Sequence, residues 1–290
     1  MVLIVKLPTV HYVPVTRALA LAAILAVTGL PAQSAQAAAL TSEQVPGQVA
    51  SQVTSQVTKP AARPVANPFP KKAGKLAGTS CPETPISSGG IPRTRQYLET
   101  VVKCLDKSWS AYFARAGRSF AKPVVRYFEE PASTVCGIRW PEHAAAFYCT
   151  ERGTLVFPLT GGWIEGRTDL YPFKVAAHEY GHHLQSVTGI RRSYEARART
   201  GRADRAELKR RYELQADCLS GVFMGSVWGS LARTEADWAA LLDATRASGD
   251  EDGDRSHGKG ANRVHWLTRG YRSGSPAACD TWSAPPAKVS

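Results

Sequence analysis

Between Arg93 and Gly117 the apolar residues Leu98, Val101, Val102, Leu105, Trp109, Tyr112 and Phe113 recur at steps of three and four, the stripe of one helix. The period then changes. Residues 123–129 (PVVRYFE), 134–140 (TVCGIRW), 145–149 (AAFYC) and 154–159 (TLVFPL) are rich in branched and aromatic side chains and separated by turn residues. They predict a small sheet. After Gly161-Gly162 the pattern turns helical. A helix is expected over 170–188, capped by Asp169, tolerating Pro172 in its first turn and ended by Gly189. A second runs from about Asp204 to Trp228, and a third opens at Thr234, where Thr-Glu-Ala-Asp has the form of a capping box. The last covers Asn262–Tyr271. The fold class is α+β: a small β-sheet followed by a mainly helical C-terminal half.

The 290 residues suffice for one large domain or two small ones, and 43% hydrophobic content excludes global disorder. The N-terminus differs from the rest. Residues 1–39 read as an export signal: Lys6 and Arg17 precede the apolar run Ala18–Leu30, and Ala35-Gln36-Ala37 offers small residues for cleavage. That run is short of the roughly 20 residues a membrane span needs, so no span is expected once the signal is removed. Residues 40–79, with Gln-Val at 44, 48, 52 and 56 and then a Pro/Ala/Lys-rich stretch, are expected to be a disordered linker. The folded domain is expected over 80–290.

All six cysteines lie beyond the signal, and their even number suits an oxidising compartment. A secreted protein, free or associated with the cell wall, is the expectation. Cys136 and Cys149 would close the middle hairpin, a bond worth roughly 3 kcal/mol in the chain-entropy picture. The other four leave three pairings, of which Cys81–Cys104 and Cys218–Cys279 are favoured. The net charge is +12, and residues 191–211 hold nine Arg or Lys against three acids. Such a face is a solvated helix surface or a landing site for an anionic cell-wall polymer. No nucleic-acid motif is present and export argues against that partner.

The chemistry concentrates in 176–185, AAHEYGHHLQ. His178 and His182 are four apart, so both imidazoles leave one helix face, and Glu179 lies one step round. This is the HExxH arrangement of zinc hydrolases: two neutral imidazoles share Zn2+ while the glutamate reaches a water on it. His183 is rotated about 100° from His182 and cannot join them. Glu213, in YELQADC, is the better candidate for a third ligand, because Asp217 one turn later can accept the outer N–H of a ligand histidine. Glu195 and Glu207 remain alternatives that lack such a partner, and Cys218 points away. A further donor should face the developing oxyanion; His257, beside Gly258, is the candidate, with Tyr212 and His265 behind it. The acidic run 249–254 lacks the spacing of a calcium loop, and His11 and His143 have no partners in sequence. Trp109, Trp163, Trp228, Trp238 and Trp266 read as core or groove walls.

AAHEYGHHLQ, YELQADCLSGVF and DRSHGKGANRVHWLTRGYRSGSPAACDTW together resemble the bacterial neutral zinc metallopeptidase family over about residues 80–283. The resemblance implies a zincin-type fold of the Glu-ligand class, similar to thermolysin around the metal. It implies His178, His182 and Glu213 as zinc ligands, Glu179 as catalytic base and a peptide or protein substrate. Ser256-His257-Gly258 matches a motif near the family's C-terminus. The family often carries an N-terminal membrane anchor, where this chain carries what reads as a cleavable signal. The expected function is an exported metallopeptidase that hydrolyses peptide bonds with a Glu179-activated, zinc-bound water. The rival is a catalytically inactive zinc protein that docks on the cell wall through its Arg-rich helix.

Overall fold

A computed structural model describes residues 2–6, 65–86, 89–141, 144–165, 168, 170–201, 204–250 and 256–290, all of one compact unit made of Met1–Thr9 and Ala62–Ser290. The predicted stripe becomes helix α1 (Gly90–Arg115), with Leu98, Val101, Leu105 and Trp109 buried along one side. Strands β2 (Val124–Phe128), β5 (Ala144–Cys149) and β6 (Thr154–Pro158) follow. β5 and β6 pair antiparallel across a short turn, and β2 runs parallel to β6 with Val125 opposite Leu155. β1 (Val2–Lys6) pairs antiparallel with β5, giving the order β1-β5-β6-β2. β1 falls inside the stretch that the sequence reads as an export signal.

The segment 134–140 is not one strand. It folds into β3 (Thr134–Val135) and β4 (Ile138–Arg139) around Cys136 and Gly137, whose φ angles of 55° and 81° turn the chain back on itself. Cys136 is bonded to Cys149 at the end of β5, so the bridge staples this tight hairpin to the larger sheet. The packed region also starts before residue 80. Val65, Phe69 and Leu76 are buried, and Phe69 sits among Trp109, Tyr112 and Phe113 at centroid distances of 6.3–6.5 Å. Phe69 finds the aromatic face of α1, and Val65 and Leu76 are buried in the same core, so packing begins ahead of the linker end expected at residue 79. Most of the expected signal and linker, 7–64, lies outside the described residues.

Helix α2 (Leu170–Val187) is buried without a break from Leu170 to Gln185, as a helix enclosed on all sides must be. Its expected cap, Asp169, lies outside the described residues. Gly189, in the left-handed conformation at φ 83°, separates it from α3 (Ile190–Arg199). The sequence pattern assigns no separate helix there. α4 (Arg205–Val227) is capped by Asp204, which accepts the Ala206 N–H. α5 (Glu235–Ala247) starts with the Thr234–Asp237 capping box, and α6 (Gly260–Ser273) packs on α4. That packing is backbone on backbone: a Cβ on Gly270 would lie 1.9 Å from the Cys218 carbonyl oxygen, and one on Gly221 2.1 Å from that of Leu267. The bonds Cys81–Cys104 and Cys218–Cys279 complete the disulfides, as favoured from sequence. Among the described residues no helix is long and apolar enough to cross a membrane.

Candidate metal centre

Two adjacent helices and one turn meet at a single point. α2 supplies His178, Glu179 and His182, α4 supplies Glu213 and Asp217, and the turn before α6 supplies His257. Glu213 Oε2 lies 3.3 Å from His178 Nε2, 3.2 Å from His182 Nε2 and 3.6 Å from His257 Nε2. Potential ligand atoms of His178, Glu179 and His182 all fall within 4.8 Å of one another. The five residues from α2 and α4 at this point are fully buried, and His257 is 4% exposed.

Each ring is held by its outer nitrogen. His178 Nδ1 lies 2.8 Å from Asp217 Oδ1, and that carboxylate also receives Lys174 Nζ at 2.5 Å and Arg263 Nε at 2.8 Å. Asp217 is therefore acceptor-only, and the His178 proton sits on Nδ1. The proton on His182 is fixed through a longer chain. The indole N–H of Trp282 can only donate, and it donates to Gln215 Oε1 at 3.1 Å. Gln185 Nε2 donates to the same oxygen at 3.0 Å and to the Tyr212 carbonyl at 2.7 Å. Gln185 Oε1 must then face His182 Nδ1, 2.8 Å away, and accept its proton. Both Nε2 atoms thus point lone pairs at a carboxylate oxygen.

Electrostatics agree. Burial alone pushes Asp217 up, but the Arg263 and Lys174 charges and the His178 hydrogen bond more than reverse it and hold it well below the usual carboxylate range. Glu213 is likewise raised by burial and then brought well below its ordinary value by positive charge and N–H donation from the imidazoles when they are protonated, the pull that a cation among neutral rings would exert in their place. Burial lowers His182 against the pull of Glu213, and lowers His257 to about 4; neutral imidazole is the ligand form. Glu179 goes the other way, pushed well above its ordinary value first by burial and then by the Glu213 charge. Neither of its oxygens completes a hydrogen bond, although the Tyr148 backbone N–H on β5 helps its charged form.

Acceptors facing acceptors at 3.2 and 3.3 Å, with Glu213 Oε1 and His182 Nε2 buried and lacking hydrogen bonds, repel one another until a cation lies among them. Two ligands bound at 2.0–2.1 Å on a tetrahedral ion stand about 3.4 Å apart, so the donor set fits zinc.

The remaining sequence candidates divide. His257 Nε2 faces the cluster while its Nδ1 meets Ser256 Oγ at 2.8 Å. Asp250 holds this turn by accepting the N–H groups of His257 and Gly258 at 2.8 and 2.7 Å. Tyr212 stacks on His182 at 4.9 Å. His265 lies against Trp266 and outside the cluster. Glu195 and Glu207 are bonded to Arg191 and Arg211. His183 turns away to the Ala121 carbonyl, 2.7 Å from its Nε2. Four of the five tryptophans are buried. His11, His143 and residues 251–255 lie outside the described residues. Ser256 entered with the Ser256-His257-Gly258 motif, whereas Lys174, Gln185, Asp250 and Arg263 were not singled out from sequence. Helical spacing, four before His178 and three after His182, was the signal for Lys174 and Gln185; Arg263 has none.

An α+β chain that gathers two imidazoles from one helix and a carboxylate from the next, with a spare glutamate beside them, has the donor set of a zinc-hydrolase centre. Residues 87–282 match the family described as "Putative neutral zinc metallopeptidase", and the chain belongs to that family. It is similar to the uncharacterized protein YpfJ of Escherichia coli (strain K12), 28% identical over 206 residues that cover 64% of this chain and 71% of the relative. The uncharacterized protein Rv2575 of Mycobacterium tuberculosis (strain ATCC 25618 / H37Rv) is 30% identical over 203 residues, 57% of this chain and 64% of the relative. No solved structure matches the chain.

Proposed function

We propose that the chain is an exported zinc-dependent peptidase in which His178, His182 and Glu213 hold the ion and Glu179 is the general base. The observation that carries this reading is the pair of imidazole lone pairs turned onto the Glu213 carboxylate, with a carboxylate oxygen of Glu179 close beside the same rings. Bound zinc would supply Lewis acidity, which acidifies water and polarises a carbonyl. Glu179 is suited to the proton traffic. Burial and a neighbouring negative charge raise its basicity, so it takes a proton from the attacking water and returns it to the leaving amine. Asp217 and Gln185 keep the two ligand rings in the tautomer that presents Nε2. His257 approaches Glu213 less closely than the ligand rings do; with Nδ1 accepting from Ser256 Oγ, its proton sits on Nε2 and serves as the donor that faces the oxyanion, a role worth about 3 kcal/mol. Three disulfides support an oxidising compartment and hence export.

The wall-binding rival has no use for Glu179, since a purely structural ion needs no carboxylate beside its ligands. Zinc content and turnover of an unfolded protein, compared between wild type and Glu179→Gln, test the proposal. Both proteins should carry zinc, and turnover should fall by about 10²–10⁴ in the variant. Zinc in both with turnover in neither rejects the peptidase.

A further inference from the structure

A groove of about 720 Å³ lies between the turn after β5 and helices α3 and α4, within the size range of sites that take small groups. Tyr194 is one of its walls, 4% exposed. Its ring stacks on Tyr212 at 5.0 Å, and Tyr212 stacks on His182 at 4.9 Å. The groove is thus joined to the metal-type centre by two consecutive aromatic contacts. Arg199, Arg205 and Lys209 line it against two acids, Glu151 and Glu195. Glu195 is already bonded to Arg191 at 2.6 Å, so the lining keeps a cationic excess.

Position along α4 gives the same connection. Lys209 precedes Glu213 by four residues, one turn and about 6 Å on the same helix face. Arg205 Nε donates to the Ala198 carbonyl at 3.1 Å, which pins that guanidinium where α3 ends and α4 begins.

We propose that this groove receives an acidic side chain of the polypeptide substrate and so makes Asp or Glu a specificity determinant close to the bond that is cut. The proposal rests on the peptidase reading above. Two ring-stacking steps span about 10 Å in a straight line through the buried Tyr212, and at about 3.3 Å per residue of extended chain a separation of that size corresponds to about three positions from the scissile bond. A guanidinium and an ammonium converging on one pocket suit a single carboxylate. A long anionic polymer would instead need a continuous cationic track, and the acids Glu151 and Glu195 interrupt the lining.

Two measurements on the zinc-loaded full chain test this. In the first, cleavage sites are mapped in a peptide library; Asp and Glu should be enriched at least fivefold at one position two to four residues from the cut bond. In Lys209→Glu/Arg205→Glu that enrichment should vanish. The second needs no turnover. Fluorescence anisotropy compares a labelled hexaglutamate with a labelled hexalysine on Glu179→Gln. The acidic peptide should bind at least tenfold more tightly, less so at high salt, and adding Lys209→Ala or Lys209→Glu should remove the difference. Arg192→Glu, an exposed change of the same sign outside the groove lining, controls for bulk charge. Equal binding of the two peptides, or equal loss in the Arg192→Glu control, overturns the groove whatever the protein cuts. So does binding of inorganic polyphosphate without binding of hexaglutamate. Cleavage without acidic preference also overturns it and leaves the peptidase standing. Selective binding that the groove variants abolish, with no bond cut, supports the groove and sinks the peptidase.

Discussion

Asp217→Asn removes one charge and almost no volume, and its cost follows from what the carboxylate faces. Lys174 Nζ lies 2.5 Å from it, Arg263 reaches it through Nε at 2.8 Å and Nη2 at 3.2 Å, and His178 Nδ1 lies at 2.8 Å. Both cations and the carboxylate are buried. Neutralising the acid leaves two charges in the interior without the carboxylate that pairs them, and breaking a buried ion pair from one side typically costs 3–5 kcal/mol. Against a usual total of about 5–15 kcal/mol, that is a large fraction. Urea unfolding followed by circular dichroism, with disulfides intact and metal removed by chelator, should show a loss of about 4 kcal/mol. Zinc affinity should fall separately by about 10–100-fold, since an amide is a weaker acceptor for the ring N–H of His178. The double variant Asp217→Asn/Lys174→Met should recover part of the stability by removing one orphaned cation. A loss under about 1 kcal/mol, well below the range expected for a broken buried pair, or a double variant less stable than the single one, would refute the view of Asp217 as the charge hub.

Lys174 carries its own pH signature. Burial outweighs the attraction of Asp217 and lowers it from 10.5 to about 8. Below pH 8 the amine is charged in both states. Between pH 8 and 10.5 the unfolded chain binds more proton, so stability rises with pH across that window, by up to about 3 kcal/mol. The difference in unfolding free energy between wild type and Lys174→Met, measured from pH 7 to 10, should track that rise; a flat difference contradicts it. Gly270→Ala tests the contact between α4 and α6, because its Cβ would fall 1.9 Å from a backbone oxygen anchored beside the Cys218–Cys279 bond. It should cost at least the upper end of the usual 1–3 kcal/mol for overpacking and lower zinc affinity by displacing α4. Gly229→Ala, with nothing within 4 Å of the new Cβ, should stay within about 0.5 kcal/mol in the same urea titration.

What was legible in the chain was what has a period or a fixed spacing. The α1 stripe, the strand segments, the Thr234 cap and the HExxH pair each follow from a geometric repeat. Glu213 and Asp217 followed from their own four-residue spacing once a metal was supposed. Features that break a local rule were not legible. α3 buries only Ile190, Arg191 and Tyr194, too few for a stripe, so its arginines read as surface charge. Val65, Phe69 and Leu76 are isolated in a stretch whose composition argues for disorder, and only the folded core, with the aromatic face of α1 against Phe69, gives them somewhere to pack. Cys136 has a positive φ, which its residue type does not announce. Lys174 and Arg263 are charged residues in the interior, where patterning places apolar ones. They make sense only together, since one carboxylate must balance both.

The same logic explains why the C-terminal tail belongs to the centre although no tail residue faces Glu213. Helix spacing can place His182, but it cannot decide which ring nitrogen carries the proton. That decision comes from a donor with no acceptor capacity, the indole of Trp282, passed through Gln215 and Gln185. Arg211 secures the tail by donating to the carbonyls of Thr281, Trp282 and Ala284, and Trp266 by donating to that of Lys288. The Cys218–Cys279 bond ties the same segment to α4 one residue beyond Asp217. Asp217 and its cations fix one ligand ring, and the tail fixes the other. The two lone pairs that face Glu213 are therefore set by separate networks, one ionic and one of neutral amides. Because the second carries no titrating group along its length, the orientation of His182 should persist at acid pH until the imidazole itself protonates.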